Sequence, residues 1–309
     1  MTTLRQLEYL VTVVETGSFT HAAELLHVTQ PALSHQIRAL ETSVGGALLE
    51  RLPRSVRLTP MGRAMLPHAR AALADAGRAR AAARQAGGLE SAELHVATLY
   101  SVTLGVLPAV LRAWLGRQPG RRVRLFEHRH ADELAAAMAA GQADLAIGPP
   151  PAQWDGPIRH IGVEEFVVVV APDDPLAASE RREIGLAELA GRDWVHYAPG
   201  NGLAEVLDQA CAAAGFQPRA AIRTEQSAAA PLLAAAGLGP ALVPANSVPA
   251  GFAGRLLRPA PAVRRPLTAY TRTRPDPLAV DFTETVAEHA CVFPEHIRAL
   301  LPPGAASAG

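Results

Sequence analysis

Lysine is missing altogether: all 29 basic residues of the 309-residue chain are arginine. With the heavy use of alanine, this reads as a high-GC coding bias rather than a functional choice. Cysteine is almost as scarce. Only Cys211 and Cys291 occur, which excludes a disulfide scaffold and a cysteine-based zinc site. Each reads as a small hydrophobe rather than half of a redox pair. Net charge is absent too, because 29 Asp and Glu balance the arginines, so no global basic field announces nucleic acid. Nor is there a long apolar run. The stretch Ala228 to Ala245 is broken by Pro231, Gly237, Gly239, Pro240 and Pro244, and the run at 166–170 has strand length. The first ten residues carry no basic flank followed by an apolar segment, so no secretory signal is expected. These absences lead to the expectation of a soluble cytoplasmic protein with no membrane partner. The motifs GxSxG, GxxxxGK[ST], HExxH and GxGxxG are missing as well, so no catalytic residues, metal or cofactor are expected.

What is present is enough apolar material for packed cores, 49% of residues, over a length that suggests two or three domains. The zero net charge hides an asymmetry. Residues 1–87 hold ten Arg against six acids, and from Arg51 to Arg84 there are eight Arg and one acid, Asp75. That basic front is either a nucleic-acid footprint or simply a solvated helix face.

The first sixty residues read as three helices and a ribbon. Leu4, Leu7, Val11 and Val14 recur at helical spacing with Leu10 beside them. Gly17 ends that helix, and Ser18 caps a second one that turns Ala22, Ala23 and Leu26 inward. His27-Val28-Thr29 makes a turn, with Val28 plugging the angle between helices. Thr29 caps a third helix, and Pro31 fits its first turn. Its inward face is Leu33, Ile37 and Leu40; its outward face is Gln30, Ser34, His35 and Arg38. A two-stranded ribbon with Arg51, Arg54 and Arg57 follows. Thr59-Pro60 then opens a helix running to about Gln85, with Leu66, Leu73, Ala69, Ala76 and Ala83 at heptad spacing and Pro67 as a local bend.

The run GSFTHAAELLHVTQPALSHQIRALE, followed by LLERLPRSVRLTPMG, resembles the winged helix-turn-helix of LysR-type transcriptional regulators. The resemblance rests on Phe19, Ala22-Ala23, Gln30-Pro31-Ala32, Ser34, Gln36-Ile37, Leu40-Glu41 and Arg51 through Gly62. This chain departs from the family in carrying Leu49 where Phe is usual and His35 where Arg or Lys is more frequent. The resemblance implies double-stranded DNA as a partner. Gln30, Pro31, Ser34, His35 and Arg38 are expected at the major groove, and Arg51, Arg54 and Arg57 on phosphates. It also implies a homodimer through the linker helix, assembled into a homotetramer, and leaves RNA polymerase as an open partner.

The implied fold is an α+β multidomain chain: a winged helix-turn-helix (1–59), a linker helix (60–88) and a two-lobed α/β effector domain (91–300). The effector domain is expected to be periplasmic-binding-protein-like, with lobe one at 91–161 and 266–300 and lobe two at 162–265. Alternating strands and helices suggest a largely parallel sheet, and the tail 301–309 is expected to be disordered. A small-molecule effector, anionic or carboxylate-bearing, is expected between the lobes, because strand-to-helix turns present unpaired N–H groups. The candidates are Tyr100, Ser101, Val102 and Thr103 after the first strand, Asn201 in Pro199–Gly202, and Gln226 and Ser227 before a later helix. Ser101, Thr103 and the 199–202 and 224–227 loops also read as plain helix caps. His128 lies in a loop with His130, and either lines the cleft or is solvated. His196 either reaches the cleft or is a satisfied core histidine.

Overall fold

The computed structural model describes residues 2–52, 55–86, 93–117, 119–178 and 181–301. The chain divides into two units, residues 1–93 with 136–143, and residues 94–135 with 144–309. The expected disorder of the tail beyond residue 301 lies outside the described residues.

The first unit opens with α1 (Leu4–Thr16), α2 (Phe19–Leu25) and α3 (Gln30–Val44). Hydroxyls start all three helices: Thr3 accepts from the Gln6 N–H, Ser18 from His21 and Thr29 from Ala32. Gly17 and Gly45 end α1 and α3 with φ of 63° and 83°. Between α2 and α3 no glycine is available, and His27 takes the left-handed φ of 54° in its place. Leu10, Val13, Ala22, Ala23, Leu33, Ile37 and Leu40 form one core, with Val28 packed on it. On α1 the buried face is shifted from the expected one. Leu4 is 45% exposed, because it sits in the first turn, where Gln6 instead turns inward and donates to Gln36 at 3.3 Å.

The ribbon is β1 (Leu49–Leu52) against β2 (Ser55–Leu58), antiparallel, with Leu49 opposite Leu58 and Glu50 opposite Arg57. Glu41 near the end of α3 fixes its root: one carboxylate oxygen accepts the Leu48 and Leu49 N–H groups at 2.9 and 3.2 Å. Thr59 donates to the Ala47 carbonyl at 2.7 Å and accepts from Gly62 at 3.0 Å, capping α4 (Pro60–Ala86). Position 62 must be glycine, since a Cβ there would run into the Leu48 carbonyl oxygen. Helix α4 continues through Pro67 and packs against α1. Ala69 is fully buried, so the small-residue stripe expected to be free for a partner is partly used within the chain.

In the second unit, apart from Glu93 and residues 136–139, the first lobe contains β3 (Glu93–Leu99), α5 (Tyr100–Gly105), α6 (Leu107–Arg117), β4 (Arg122–His128), α7 (Ala131–Ala139) and β5 (Leu145–Gly148). A 13-residue strand, β6 (Ile158–Val170), leads into the second lobe. There follow β7 (Glu183–Ile184), β8 (Asp193–Tyr197), α8 (Gly202–Ala213), β9 (Arg219–Thr224), α9 (Ala229–Ala235), β10 (Ala241–Pro244) and β11 (Arg255–Pro259). Strand β12 (Arg264–Thr271) returns to the first lobe, and α10 (Pro277–His289) and α11 (Glu295–Leu300) close the described fold.

The main sheet is mixed, not largely parallel as expected. In it the pairs β3–β5 and β7–β11 are parallel, and β8–β9 form a separate two-stranded parallel sheet. The crossover strands β6 and β12 run antiparallel to each other and to their neighbours β5, β10 and β11. The cause is topological: the chain passes between the lobes twice, in opposite directions. At the crossing, Glu164 stands opposite Arg265 and Glu165 opposite Arg264. Because side chains alternate across a strand, one Arg–Glu pair is buried and the other lies on the outer face.

Trp114 on α6 and Phe282 on α10 are fully buried in the first lobe and meet edge to face at 5.2 Å. The second lobe packs Phe166 to Val170, Trp194, Tyr197, Leu207 and Cys211 together. Its core also takes Ile297 and Leu301, so α11 belongs with the second lobe and not with the first, to which residues up to 300 had been expected to return. Among the described residues, no helix is long and apolar enough to cross a membrane.

Candidate nucleic-acid interface and ligand cleft

Helix α3 lays Leu33, Ile37 and Leu40 on the first unit's core and leaves Pro31, His35 and Arg38 exposed, with Gln30 half-buried. Ser34 departs from expectation. It is 5% exposed, and its hydroxyl accepts from the Gln30 side-chain amide at 2.9 Å. The cause is geometric, since Ser34 directly follows the core residue Leu33 and lies one turn beyond Gln30 on the flank of the helix. It therefore holds Gln30 rather than reaching outward itself. On the ribbon Arg57 is exposed, and Arg51 pairs with Val56 in the backbone register. Arg54 lies outside the described residues. Elsewhere in this unit, Arg70 pairs with Glu15 at 3.1 Å, so part of the basic excess on α4 is locally compensated.

The second unit contains a hollow between its lobes. Tyr100, Ser101, Asn201 and Ser227 line it, and so does His128, which takes the cleft-lining one of its two readings. Arg129 and Arg265 line it too, and sequence reasoning had named neither. The remaining candidates do not reach it. Val102 is fully buried in the core. Thr103 turns its hydroxyl back to the Leu99 carbonyl at 3.4 Å, one helical turn earlier. His196 is 1% exposed and is a satisfied core histidine. Its Nε2 lies 3.0 Å from Asp208 on α8, and its Nδ1 lies 2.9 Å from the Tyr197 carbonyl. Gln226 is exposed, its backbone N–H taken by the Thr224 hydroxyl at 3.2 Å.

The first-turn N–H groups of α8, expected to greet an anion, are already used. Gly202 donates to the Arg129 carbonyl at 2.9 Å, Leu203 to the Asn201 side chain at 3.0 Å and Ala204 to the Asn201 carbonyl at 2.8 Å. The first of these bonds crosses between the lobes. So do Arg129–Glu225 at 3.1 Å and His130–Glu205 at 3.2 Å, so the segment after β4 ties the first lobe to the second, and His130 is not a solvated loop residue. Glu164 and Arg265 are the other missed pair. The sequence shows the charge doublets Glu164-Glu165 and Arg264-Arg265, but their pairing comes from the strand register.

Among the described residues, no group of three or more His, Cys, Asp or Glu is placed to hold a metal. Burial, with the nearby Asp208 charge adding to it, pushes the Cys211 thiol up to about 12, so it stays protonated and poorly nucleophilic.

The helix-turn-helix, its ribbon and the two-lobed unit occur together in known proteins. Residues 4–63 match the model described as "Bacterial regulatory helix-turn-helix protein, lysR family". Residues 87–291 match that of the LysR substrate binding domain. The chain belongs to the LysR family. It is a LysR-type DNA-binding transcriptional regulator with an effector-binding domain, and the family is not one of enzymes.

Among its relatives is the HTH-type transcriptional regulator TcbR of Pseudomonas sp. (strain P51), 34% identical over 254 residues, which are 78% of this chain and 82% of TcbR. ShiR of Corynebacterium glutamicum (strain R) is 33% identical over 243 residues, 77% of this chain and 81% of ShiR. The crystal structure of CbnR, a LysR family transcriptional regulator, superposes with a TM-score of 0.69 at 29% identity, covering 94% of this chain and all of CbnR. Full-length CbnR complexed with its target DNA gives 0.67 at 29% identity, covering 93% of this chain and 99% of CbnR.

Proposed function

We propose that this LysR-family regulator reads an imperfect inverted-repeat operator with α3 and answers to a small anionic molecule held between its lobes. The observation that carries the first half is the exposed polar start of α3, with Pro31, His35 and Arg38 outward over a closed apolar core. In this reading α3 enters the major groove, Gln30 and His35 meet base edges, and Pro31 meets a thymine methyl. Arg38, Arg51, Arg54 and Arg57 hold the backbone. Ser34 is a positioning residue for Gln30. Base contacts discriminate by about 1–3 kcal/mol for a good bidentate pair, whereas arginines on phosphates add affinity that salt removes.

Residues 1–59 act as the reader, 60–88 as a dimerising linker and the segment from 91 as the effector domain, in a homodimer that assembles to a homotetramer. Dimerisation sets two readers about 34 Å apart, or a multiple of it. The setting is the cytoplasm, with RNA polymerase as the macromolecule met at the promoter. Ligand binding works as a switch only if one arrangement of the assembly binds the ligand more tightly.

The test is fluorescence anisotropy with the purified full-length protein on the intergenic DNA upstream of its own gene and on scrambled duplex. His35→Ala lowers the preference for the specific duplex about tenfold, while Arg57→Ala weakens both and reduces the salt slope by about 1. Equal loss on all DNA from His35→Ala sinks the assignment of α3. Ser101→Ala spares DNA binding but blunts the response to the effector; an unchanged response removes the cleft from the mechanism.

A further inference from the structure

Arg265 and Glu164 face each other across the two crossover strands, with side-chain exposures of 11% and 0%. One oxygen of Glu164 accepts from Nε and Nη2 of Arg265 at 2.8 and 2.6 Å, and the other accepts from the Asn246 amide at 2.8 Å. Both carboxylate oxygens are therefore engaged. The guanidinium has used one edge; Nη1 takes no part in those bonds. Its plane is held by the Phe166 ring, 5.5 Å away, and Nη2 reaches the Ser101 hydroxyl at 3.4 Å. His128 also lines the hollow, and its Nε2 is buried without a hydrogen-bond partner, a state that native structures seldom leave unexplained.

Two further features narrow what fits. The hollow is small: its ≈ 200 Å³ of empty space already includes open solvent. Its aliphatic lining is Leu99 and Leu203 beside the Tyr100 ring, and polar side chains make up the rest. Both cations are matched, Arg265 by Glu164 and Arg129 by Glu225, so the site offers hydrogen-bond donors without a surplus positive field.

We propose that the cleft selects a compact oxyanion, a short-chain carboxylate or an inorganic oxyanion of a few heavy atoms, and excludes aromatic acids. The oxyanion sits on the Nη1–Nη2 edge of Arg265, taking over the N–H that Nη2 sends to Ser101 at 3.4 Å, with the Ser101 hydroxyl and His128 Nε2 (in its N–H form) completing the donor set. This rests on the cleft being the effector site. Arg265 is then the specificity-determining residue: a guanidinium edge fixed in plane donates two parallel bonds to an oxyanion and rejects a group lacking the second oxygen. Because the charges are matched in advance, short-range geometry sets the affinity.

The test is calorimetric titration and thermal shift of the full-length protein with acetate, pyruvate, sulfate, phosphate, benzoate and acetamide at matched ionic strength. At least one compact oxyanion binds saturably and at least about tenfold more tightly than benzoate or acetamide, as expected where buried donors discriminate. Which one binds tells the carboxylate from the inorganic source. Arg265→Gln lowers that affinity about tenfold or more. Since it also strands Glu164, the double variant Glu164→Gln/Arg265→Gln, which removes both charges, is titrated beside it and shows the same loss. Benzoate binding as tightly as acetate, unchanged affinity in the double variant, or no saturable compact oxyanion overturns the proposal. Benzoate binding that Ser101→Ala abolishes leaves the cleft as effector site and sinks only the selection for a compact ligand. Binding indifferent to Ser101→Ala and to the double variant sinks both.

Discussion

In the first unit Arg38 and Arg57 stand in solvent on a scaffold of leucines and alanines, whereas in the second Arg265 is 11% exposed and locked to a carboxylate with no exposed surface. The same side chain does two kinds of work. In water, a cation near phosphates releases counterions, so its effect is long-ranged and salt erodes it. Buried and paired, it has already given up its field, and what remains is a fixed donor edge. Reading DNA and reading a small molecule therefore ask for opposite burial, and the two regions should answer differently to salt, to truncation and to pH.

The largest effect should come from breaking the buried pair on one side. Glu164→Leu leaves the Arg265 guanidinium and the Asn246 amide without their acceptor, and about 3–5 kcal/mol is the usual loss on removing one member of a buried pair. Urea unfolding followed by tryptophan fluorescence reads it, since Trp114 and Trp194 are both buried in the second unit. A loss below about 1 kcal/mol would mean that the guanidinium escapes to water and the contrast between the two units is one of degree.

Next is a position where the first unit depends on shape instead of charge. Gly62→Ala puts a Cβ against the Leu48 carbonyl oxygen, and backbone cannot swing aside as a side-chain tip can. Overpacking of this kind costs about 1–3 kcal/mol. The root of the ribbon shifts with it, so DNA affinity should fall while ligand titrations of the cleft stay as they were. A parallel loss in both assays would show that the two activities do not separate as the comparison holds.

These two sites also mark where the sequence was legible. The helix-turn-helix could be read because its signals are local: caps at Thr3, Ser18 and Thr29, glycine stops at 17 and 45, and a 3.6-residue period in α3. Ser34 was misread because periodicity separates the buried face from the exposed one but not the flank between them. In the cleft, Ser101, His128, Asn201 and Ser227 followed from their places after strands or before helices. Arg265 and Glu164 are about a hundred residues apart, and only the strand register brings them opposite. The use of α8's first N–H groups by Arg129 is likewise a tertiary fact with no local trace. For the same reason α11 was assigned to the first lobe, whereas Ile297 and Leu301 fill the second.

Asp174 and Arg192 lie between the extremes, with side-chain exposures of 5% and 36%. Burial pushes the Asp174 carboxyl up. The hydrogen bonds from Arg192 and the Leu176 N–H, with the Arg192 charge, outweigh that and hold it below the usual 3.8. A carboxylate with a lowered folded pKa adds stability that is present above the unfolded value and lost as pH falls through the folded one. Asp174→Asn should therefore cost about 1 kcal/mol near neutral pH. The gap from wild type should hold down to about pH 5 and close progressively below 3.8. Urea midpoints over that range decide it; a gap that widens with acid reverses the sign and the argument with it.

The smallest effect belongs to the turn that leads into the reading helix. His27 holds φ 54°, a left-handed conformation that histidine enters with modest cost and glycine with none. His27→Gly relieves that cost but adds freedom to the unfolded chain, about 0.5–1 kcal/mol the other way. The two nearly cancel, and the net change should stay within about 0.5 kcal/mol of zero. His27→Val has no such compensation. A β-branched side chain is an outlier at positive φ, and the variant should lose more than about 1 kcal/mol. Differential unfolding of the pair isolates the backbone term from any contact that the imidazole makes. If Gly and Val destabilise alike, the imidazole ring, and not the turn conformation, is what His27 contributes, and the first unit too then draws on a polar side chain rather than on packing and caps alone.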